Sequence, residues 1–443
     1  MEKERAFLNV RTCFDINLSQ NRTVEYLQKY YTDRYRLTAI MESVINEGFL
    51  QSLRGKTIFI KPNWVRHSLK LNDDICLRTH DNFVLCFLEI VLRNGAKSVT
   101  IGDSPIQGCD WDKMHSSSFL CEIKQLSERF NIDVLIKDFR KVVFNTDINK
   151  IEKERRNNAD YLFFDLKERS YLDDISDGRF RITCYPSDRL NKSHTKGKHI
   201  YCIVKEIFES DIVISLPKLK THQKTGITGA LKNIVGINGD KDYLPHHRVG
   251  GTKIGGDCYP GNNVLRSVAE FFSDLSNQFQ GDYRFNLLRK LSNLSWKLSC
   301  PKQVHQLAAG WYGNDTCWRM VADLNHIIRY GTQEGKLSDI PQRCVYSLAD
   351  GIIGGQGNGP LDPLPLPLGV VCFSNSSPLL DVALCHLMNF DPQKINLIKY
   401  ALSEVDKQCF DLNINHCKSL ISDLKKYAVN TLPPPGWSEF LIN

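Results

Sequence analysis

Basic and titratable side chains crowd into one short stretch of this 443-residue chain. Lys218, Lys220, His222 and Lys224 fall within seven consecutive positions directly after Pro217. Ammonium groups attract anions, and a histidine can exchange a proton near neutral pH. The neighbouring lysines disfavour protonated imidazole and should lower the pKa of His222. The spacing therefore predicts a cationic pocket in which His222 is a catalytic acid/base and Lys218 and Lys220 bind the ligand.

A glycine-rich segment follows this cluster, and a short helix is predicted to begin near Ala230. Glycines let backbone N–H groups approach a ligand, and a helix N-terminus favours an anion. The alternative is a solvated basic loop whose glycines serve only the turn. The candidate ligand-binding residues of this segment are Thr225, Gly226, Thr228, Gly229, Lys232 and Asn233.

Residues 211–216 are mostly apolar and β-branched, which predicts a buried strand directly before the cluster. In open α/β sheets, ligands bind at the carboxyl ends of the strands. Between residues 218 and 248, five Lys and one Arg face two Asp, so much of the net charge of +7 lies there. This concentration is hard to explain by a structural role alone.

Two further strand ends carry polar side chains. Lys61 and Asn63 follow a strand predicted over residues 57–61 and are candidates for binding a carboxylate or phosphate. Asp103 ends a strand predicted over residues 98–102, and His80 precedes a helix predicted over residues 82–94, so both are candidate catalytic groups. The structural alternatives are a proline turn, an Asx-turn and a helix N-cap.

Two glycine-rich regions later in the chain complete the candidate site. His246 and Asp257 lie in a long region of loop character, and Asp350, Gly357 and Asn358 lie in a stretch rich in glycine. We expect the second stretch to be a loop that closes over the same pocket; a flexible hairpin is the alternative. Adjacent histidines at 246 and 247 do not favour chelation of one metal, so no metal ligands are predicted.

The pattern of elements predicts an α/β protein with a mostly parallel sheet, crossover helices and a site at the carboxyl ends of the strands. Residues 1–50 are predicted to be a helical lead-in. Residues 51–405 are predicted to form a single large α/β domain with a helical insertion near 263–330, and residues 406–443 to form a C-terminal extension.

Composition narrows the class of protein. The N-terminal residues lack a signal peptide and no run of about 18 apolar residues occurs, so we expect a cytoplasmic protein without membrane insertion. The 15 cysteines include no Cys-x-x-Cys pair, which favours buried reduced thiols over disulfides or a ferredoxin-type cluster. The sequence has no stripe of basic residues with interleaved aromatic residues, so we expect no nucleic-acid partner.

Taken together, these motifs resemble the domain-of-unknown-function family 362. They are Lys-Pro-Asn at 61–63, Gly-Asp-Ser-Pro at 102–105, Leu-Pro-Lys-Leu-Lys-Thr-His at 216–222, the Thr-Gly-Ile-Thr-Gly-Ala-Leu-Lys-Asn run at 225–233, and Gly-Asn-Gly-Pro at 357–360. The resemblance covers residues from about 55 to about 400. Family members often carry iron–sulfur ferredoxin modules, and this long form has none. The resemblance also suggests an association with surface-polysaccharide synthesis.

A remoter resemblance is to lactate racemase. The pattern formed by Asp211, His222, Gly226, Thr228-Gly229 and Lys232 is similar to that family's cofactor segment. It implies that His222 is an acid/base and that Lys232 tethers a pyridinium-type cofactor that transfers hydride. The motif that carries the family's second catalytic histidine corresponds here to residues 102–105, and its phosphate loop to residues 60–63, so a two-histidine racemase is not expected.

The leading hypothesis is an enzyme, an isomerase or oxidoreductase, that acts on a small anionic substrate by proton and hydride transfer. A sugar acid, a hydroxy acid and a phosphorylated metabolite all fit. One alternative is a non-catalytic protein that binds an anionic precursor in surface-polysaccharide synthesis. The other is a redox protein whose scattered cysteines hold an iron–sulfur cluster.

Overall fold

The computed structural model describes residues 5–15, 22–145, 150–151, 155–182, 185–299, 308–407 and 409–442. Within them the strands are, in chain order, β1 (Ala6–Thr12), β2 (Thr57–Pro62), β3 (Ser98–Asp103), β4 (Asp133–Asp138), β5 (Phe144–Asn145), β6 (Lys150–Ile151), β7 (Tyr161–Asp165), β8 (Phe180–Arg181), β9 (His194–Thr195), β10 (Lys198–Val204), β11 (Ile212–Leu216), β12 (Lys218–His222), β13 (Gly226–Thr228), β14 (His247–Arg248), β15 (Val345–Asn358), β16 (Asp362–Leu366), β17 (Val370–Ser374), β18 (Phe410–Ile414) and β19 (Cys417–Ser419).

The α-helices of the same residues are α1 (Val24–Thr32), α2 (Arg34–Val44), α3 (Glu47–Ser52), α4 (Asp73–Cys76), α5 (Asp81–Arg93), α6 (Ser117–Phe130), α7 (Asp188–Ser193), α8 (Glu206–Glu209), α9 (Ala230–Asn233), α10 (Val264–Asn277), α11 (Tyr283–Ser299), α12 (Thr316–Tyr330), α13 (Ser377–Leu387) and α14 (Asn396–Val405). None of them is long and apolar enough to cross a membrane.

One large mixed sheet organises the molecule, and it confirms the predicted α/β class. Strands β15, β11, β2, β3 and β4 are parallel neighbours in that order, and α5 and α6 make the crossovers between β2, β3 and β4. On the other side of β15 the sheet continues through antiparallel β17 and β1 to β18, which is parallel to β1. The helices α10, α11 and α12 occupy the region where a helical insertion was predicted.

The central strands are buried on both faces, which explains why they read as continuous apolar runs. Successive side chains of a strand point to opposite faces. Phe59 of β2 and Val213 of β11 enter one hydrophobic core, while Ile58 and Ile214 enter the other. The sheet therefore separates two cores and holds its strand ends in a rigid frame.

The helical lead-in predicted for residues 1–50 is wrong at its start. Ala6–Thr12 is a strand that lies between β17 and β18, although α1, α2 and α3 follow it as helices. Ala6, Leu8 and Val10 are buried in alternation, which is the period of a strand. This short strand is stabilised by pairing with β17 and β18, which are distant in sequence, rather than by the intrinsic strand propensity of its residues.

A buried polar cluster fastens α1 to the centre of the sheet. The Lys218 ammonium lies 2.9 Å from Asp350 Oδ2 and donates to the Tyr31 hydroxyl at 2.9 Å. That hydroxyl donates to Asp350 Oδ1 at 2.5 Å. The His80 backbone N–H donates to Asp350 Oδ2 at 3.1 Å, and the His80 ring stacks on Tyr31. Each member is committed to another, so the cluster serves the fold.

Removing one member of this cluster should be costly. Lys218→Met leaves the Asp350 carboxylate buried without its partner, and we expect a loss of about 3–5 kcal/mol of unfolding free energy in urea titrations. Lys218→Met combined with Asp350→Leu should recover much of that loss. The control Lys205→Met removes an exposed pair with Glu209 and should cost less than about 1 kcal/mol. A single variant as stable as this control would contradict the assignment.

Candidate functional site

A cavity of about 360 Å³ lies at the carboxyl ends of β2, β3, β12 and β15. Residues just past these ends reach it, together with α9 and the segment that follows it. The described residues that line it and carry polar side chains are Lys61, Asn63, Asp103, Ser104, Gln107, Tyr185, Lys220, His222, Gln223, Lys224, Thr228, Lys232, Asn233, Lys241, His246, Asn358 and Asp362.

The lining carries more positive than negative charge. Its two carboxylates are already paired, Asp103 with Lys61 at 2.7 Å and Asp362 with Lys70. The lining lysines that lack a carboxylate within 4.0 Å among the described residues are Lys220, Lys224, Lys232 and Lys241. A group of cations without counter-ions is suited to an anionic ligand.

Two of these lysines are buried so well that their charge is weakened. Burial lowers the pKa of Lys220 to about 7, and it lowers the pKa of Lys241 to about 7 as well. The Lys220 ammonium donates to the Leu77 carbonyl, and that of Lys241 donates to the Ser104 carbonyl at 3.1 Å. A carbonyl satisfies an N–H group without neutralising the charge, so the penalty of burial remains.

Lys232 is the electrostatic centre of the cavity. Its positive charge is among the causes that lower the pKa of Lys61, Lys220, His222, Lys224, Lys241 and His246. In the part of the chain that the structure describes, Lys232 makes no hydrogen bond or ion pair. Its half-buried ammonium is therefore well placed to meet an anion.

Several buried polar atoms of the lining also lack a partner among the described residues. They are Asn63 Oδ1, Ser104 Oγ, Thr228 Oγ1 and both amide atoms of Gln107. Buried polar groups are nearly always hydrogen-bonded to protein, water or ligand. Donors and acceptors left open beside a surplus of lysines fit a ligand that has hydroxyl or carbonyl oxygens as well as a negative charge.

Two histidines of the lining have opposite tautomers. The backbone N–H of Lys224 donates to Nδ1 of His222 at 3.1 Å, so neutral His222 carries its hydrogen on Nε2. Nδ1 of His246 lies 2.8 Å from the Leu244 carbonyl, which can only accept, so neutral His246 keeps a lone pair on Nε2. One ring offers a donor and the other an acceptor.

The pKa of both rings is shifted in the same direction. Burial, followed by the charges of nearby lysines, lowers the pKa of His222 well below its ordinary value, and the same two causes lower that of His246. The downward shift predicted for His222 is present, with burial as the larger cause. A general base needs a ring nitrogen with a lone pair open to the ligand. Neutral His222 carries a hydrogen on Nε2, whereas neutral His246 has a lone pair there, so His246 is the better candidate for a base.

The N-terminus of α9 does not offer its N–H groups to a ligand, contrary to the expectation from sequence. The Asp381 carboxylate accepts from the backbone of Ala230 at 2.6 Å and of Leu231 at 3.1 Å. A Cβ atom on Gly229 would lie 2.1 Å from Asp381 Oδ1, so this glycine makes room for a carboxylate of the protein itself. What α9 brings to the cavity is the side chains of Lys232 and Asn233.

The glycine-rich stretch at 350–360 is a strand for most of its length rather than a closing loop. β15 continues to Asn358 and forms a hairpin with β16. A Cβ atom on Gly355 would lie 2.8 Å from Cβ of Lys220, so the small residues let β12 pack closely. Asn358 does line the cavity, where it accepts a hydrogen bond from Gln223, whereas Gly357 does not.

The structure brings ten of the predicted residues to the cavity lining: Lys61, Asn63, Asp103, Lys220, His222, Thr228, Lys232, Asn233, His246 and Asn358. It holds Asp103 with Lys61 and with the N–H groups of Trp64 and Ser104, each at 2.7 Å, so this carboxylate positions other groups. Asn233 is likewise committed to Ser215 and the Lys61 carbonyl.

The remaining predicted residues lie off the lining. His80, Lys218 and Asp350 belong to the buried cluster that fastens α1. The pairing of β12 with β15 shifts register between Lys218 and Lys220, so these two lysines have different surroundings. Asp257 accepts from the backbone N–H of Thr316 at 2.9 Å and so holds the start of α12. Thr225, Gly226, Gly229 and Gly357 are also absent from the lining.

Sequence reasoning missed Gln107, Gln223, Lys224 and Lys241 as lining residues. Lys224 is part of the basic cluster at 218–224, and Lys241 lies between two aspartates after Gly239, but neither was predicted to bind the ligand. The C-terminal segment also contributes, because Trp437 Nε1 donates to the Gln223 carbonyl at 2.9 Å. No local signal connects residue 437 with residue 223.

The described cysteines form no disulfide with one another, and most of them are buried. Among the residues that the structure describes, no three His, Cys, Asp or Glu side chains come together as metal ligands would. These residues therefore do not fit an iron–sulfur cluster.

A protein-family model matches part of the chain. Residues 172–386 match the model described as Domain of unknown function (DUF362), which confirms the family predicted from the motifs over this segment. The motifs at residues 61–63 and 102–105 lie outside the match. No curated protein matches the sequence.

Two solved structures show a distant likeness. A crystal structure of a Thermotoga maritima protein aligns with a TM-score of 0.32 and 8% identity, covering 87% of this chain and 59% of that one. The lactate racemase apoprotein from Thermoanaerobacterium thermosaccharolyticum aligns with a TM-score of 0.27 and 11% identity, covering 86% and 56%. The chain thus spans less than three fifths of either protein, and likeness at this level carries no functional argument.

The cavity should bind sulfate, and the affinity should depend on pH. Lys220 and Lys241 lose protons above about pH 7, whereas a bound anion favours their charged forms. We expect the dissociation constant, measured by calorimetry between pH 6 and 9, to rise above pH 7 by about tenfold per unit for each coupled lysine. Sulfate does not titrate in this range. An affinity that stays constant from pH 6 to 9 would exclude the two lysines.

Lys220→Met should stabilise the ligand-free protein while weakening sulfate binding. The pKa of Lys220 is lowered from 10.5 to about 7. The unfolded state therefore binds more protons between these values, and the penalty is complete below pH 7. We expect a gain of a few kcal/mol at pH 6 that shrinks toward pH 10, measured by urea unfolding. Destabilisation at pH 6 would show that the ammonium is a structural group.

Proposed function

We propose that this chain is an enzyme that acts on a small anionic substrate held in the lysine-rich cavity. The observation that carries the proposal is a set of four lysines beside several buried polar atoms. Among the residues that the structure describes, these lysines have no carboxylate within 4.0 Å and these atoms have no hydrogen bond. A structural site would pair such groups internally. A sugar acid, a hydroxy acid or a phosphorylated metabolite has both the charge and the hydroxyl oxygens that would satisfy them.

The side chains divide into a binding set and a reacting set. Lys232, with Lys220, Lys224 and Lys241 around it, would hold the negative group. His246 would take a proton from the substrate at its Nε2 lone pair. His222 would donate a hydrogen bond from Nε2–H to the oxygen on which negative charge develops. Anion binding offsets the repulsion from the lysines and thereby raises the pKa of His246 toward the working range.

A tethered pyridinium cofactor is a finer form of the same proposal. Lys232, which lacks a partner within the described residues, is the side chain that would hold it. Such a group supplies hydride transfer when it is bound. An added mass on Lys232 in intact-protein and peptide mass spectrometry would support this form.

A non-catalytic accessory protein that binds an anionic precursor is the second candidate. It is favoured by the strongly lowered pKa of both histidines, because a base with a low pKa accepts a proton poorly at neutral pH. In that case the lysines would be needed for binding and both histidines would be replaceable. The proposed association with surface-polysaccharide synthesis fits either candidate.

The test is proton exchange in D2O with a panel of 2-hydroxy acids, uronic acids and sugar phosphates, followed by proton NMR. We expect loss of a C–H signal next to the anionic group of the true substrate. His246→Asn keeps a donor for the Leu244 carbonyl but loses the base, so turnover should fall by about 10²-fold or more. His222→Leu should fall similarly, while His222→Gln retains an N–H donor and should stay within about tenfold.

The variants also separate the two candidates. Sulfate affinity should be unchanged in His246→Asn, which shows that the cavity is intact. If anions from the panel bind, but none exchanges or is converted, the accessory protein is the better description. If His246→Asn exchanges at the wild-type rate, the proposed base is wrong.

A further inference from the structure

The helical hairpin of α10 and α11 exposes its apolar side chains to solvent. On α11, Leu287, Leu291, Leu294 and Leu298 are exposed, the last by 63%. On α10, Val268 and Phe271 are exposed, the latter by 61%. Contiguous apolar patches on the surface mark interaction sites more often than isolated residues do.

The spacing shows that these residues form one row. Leu287, Leu291, Leu294 and Leu298 are separated by four, three and four positions, which places them on a single face of α11. This face should be polar in a helix that meets only water. A row of this kind is suited to a partner other than water.

The contact between the two helices includes small side chains as well as Trp296 of α11, over whose ring Arg266 of α10 lies. Ser292 Oγ donates to the Ala269 carbonyl at 2.7 Å, and Ser295 Oγ donates to the Leu265 carbonyl at 2.7 Å. These bonds join α11 to α10 in antiparallel order through small side chains.

The charges beside the leucine row favour an anionic surface. Lys290 and Lys297 are exposed, lie one heptad apart next to the row, and have no carboxylate within 4.0 Å among the described residues. The acidic side chains Glu270 and Asp274 of α10 pair instead with Arg181. A second copy docked on this face would bring lysines against lysines without acidic partners.

We propose that the α10–α11 hairpin docks on the surface of a bilayer that contains anionic lipids. The leucine row would lie at the boundary between headgroups and acyl chains, and Lys290 and Lys297 would meet the phosphates. The hairpin contacts a residue that lines the cavity, because Asn277 donates to the carbonyl of Tyr185 at 3.2 Å. The docking is independent of the reaction proposed above.

The test is flotation of the full chain with vesicles of phosphatidylcholine containing 30% phosphatidylserine, compared with phosphatidylcholine alone. We expect binding to the anionic vesicles that weakens in 0.5 M NaCl. The double variants Leu291→Ser with Leu294→Ser, and Lys290→Glu with Lys297→Glu, should each reduce the bound fraction at least tenfold. The matched control Leu71→Ser with Leu420→Ser removes two exposed leucines elsewhere and should bind normally.

Circular dichroism and thermal unfolding would establish that each variant is folded. Absence of wild-type binding to anionic vesicles would overturn the proposal, and so would equal losses in the control and the leucine variant. A dimer in light scattering that the leucine variant converts to monomer would also overturn it, because a second copy would then cover this face.

Discussion

Positive charge that is buried without matching negative charge is the constraint on which the rest of this structure depends. Lys220 and Lys241 are buried, and their hydrogen-bond acceptors among the described residues are backbone carbonyls rather than carboxylates. Transfer of an ammonium group from water into such surroundings is costly, and the lowered pKa values express that cost. Lys220 lies on β12 of the sheet, and Lys241 donates to Ser104, which directly follows β3. The sheet must therefore tolerate this local instability.

Neighbouring lysines of this fold have opposite effects on its stability. Lys218 and Lys220 are two positions apart on β12. Lys218 contacts Asp350 and Tyr31, whereas Lys220 contacts no carboxylate within the described parts of the chain. The register shift in the pairing of β12 with β15 lies between them. One strand therefore contributes both a structural ion pair and an open charge, and the two hydrophobic cores around it hold this difference in place.

What could be predicted from the sequence was local. The apolar runs that became β2, β3 and β11 and the helix that ends before Gly95 follow from composition and period, and they led to the correct edge of the sheet. Partners remote in sequence could not be predicted. Asp350 meets Lys218 across 132 positions, and Asp381 meets Ala230 across 151. The glycines of β15 suggested a loop. They are in fact needed because β12 packs closely against them, and nothing in the local sequence indicates that contact.

The position of β1 has a consequence for synthesis on the ribosome. Leu8 pairs with Ser374 on one side and with Leu412 on the other. β1 therefore cannot pair within the sheet until the ribosome has synthesised β17 and β18. At translation rates of about 5–20 residues per second, this delay is roughly 20–80 s. During that interval the nascent N-terminal segment has no native strand to join, and its alternating apolar residues are open to chaperones.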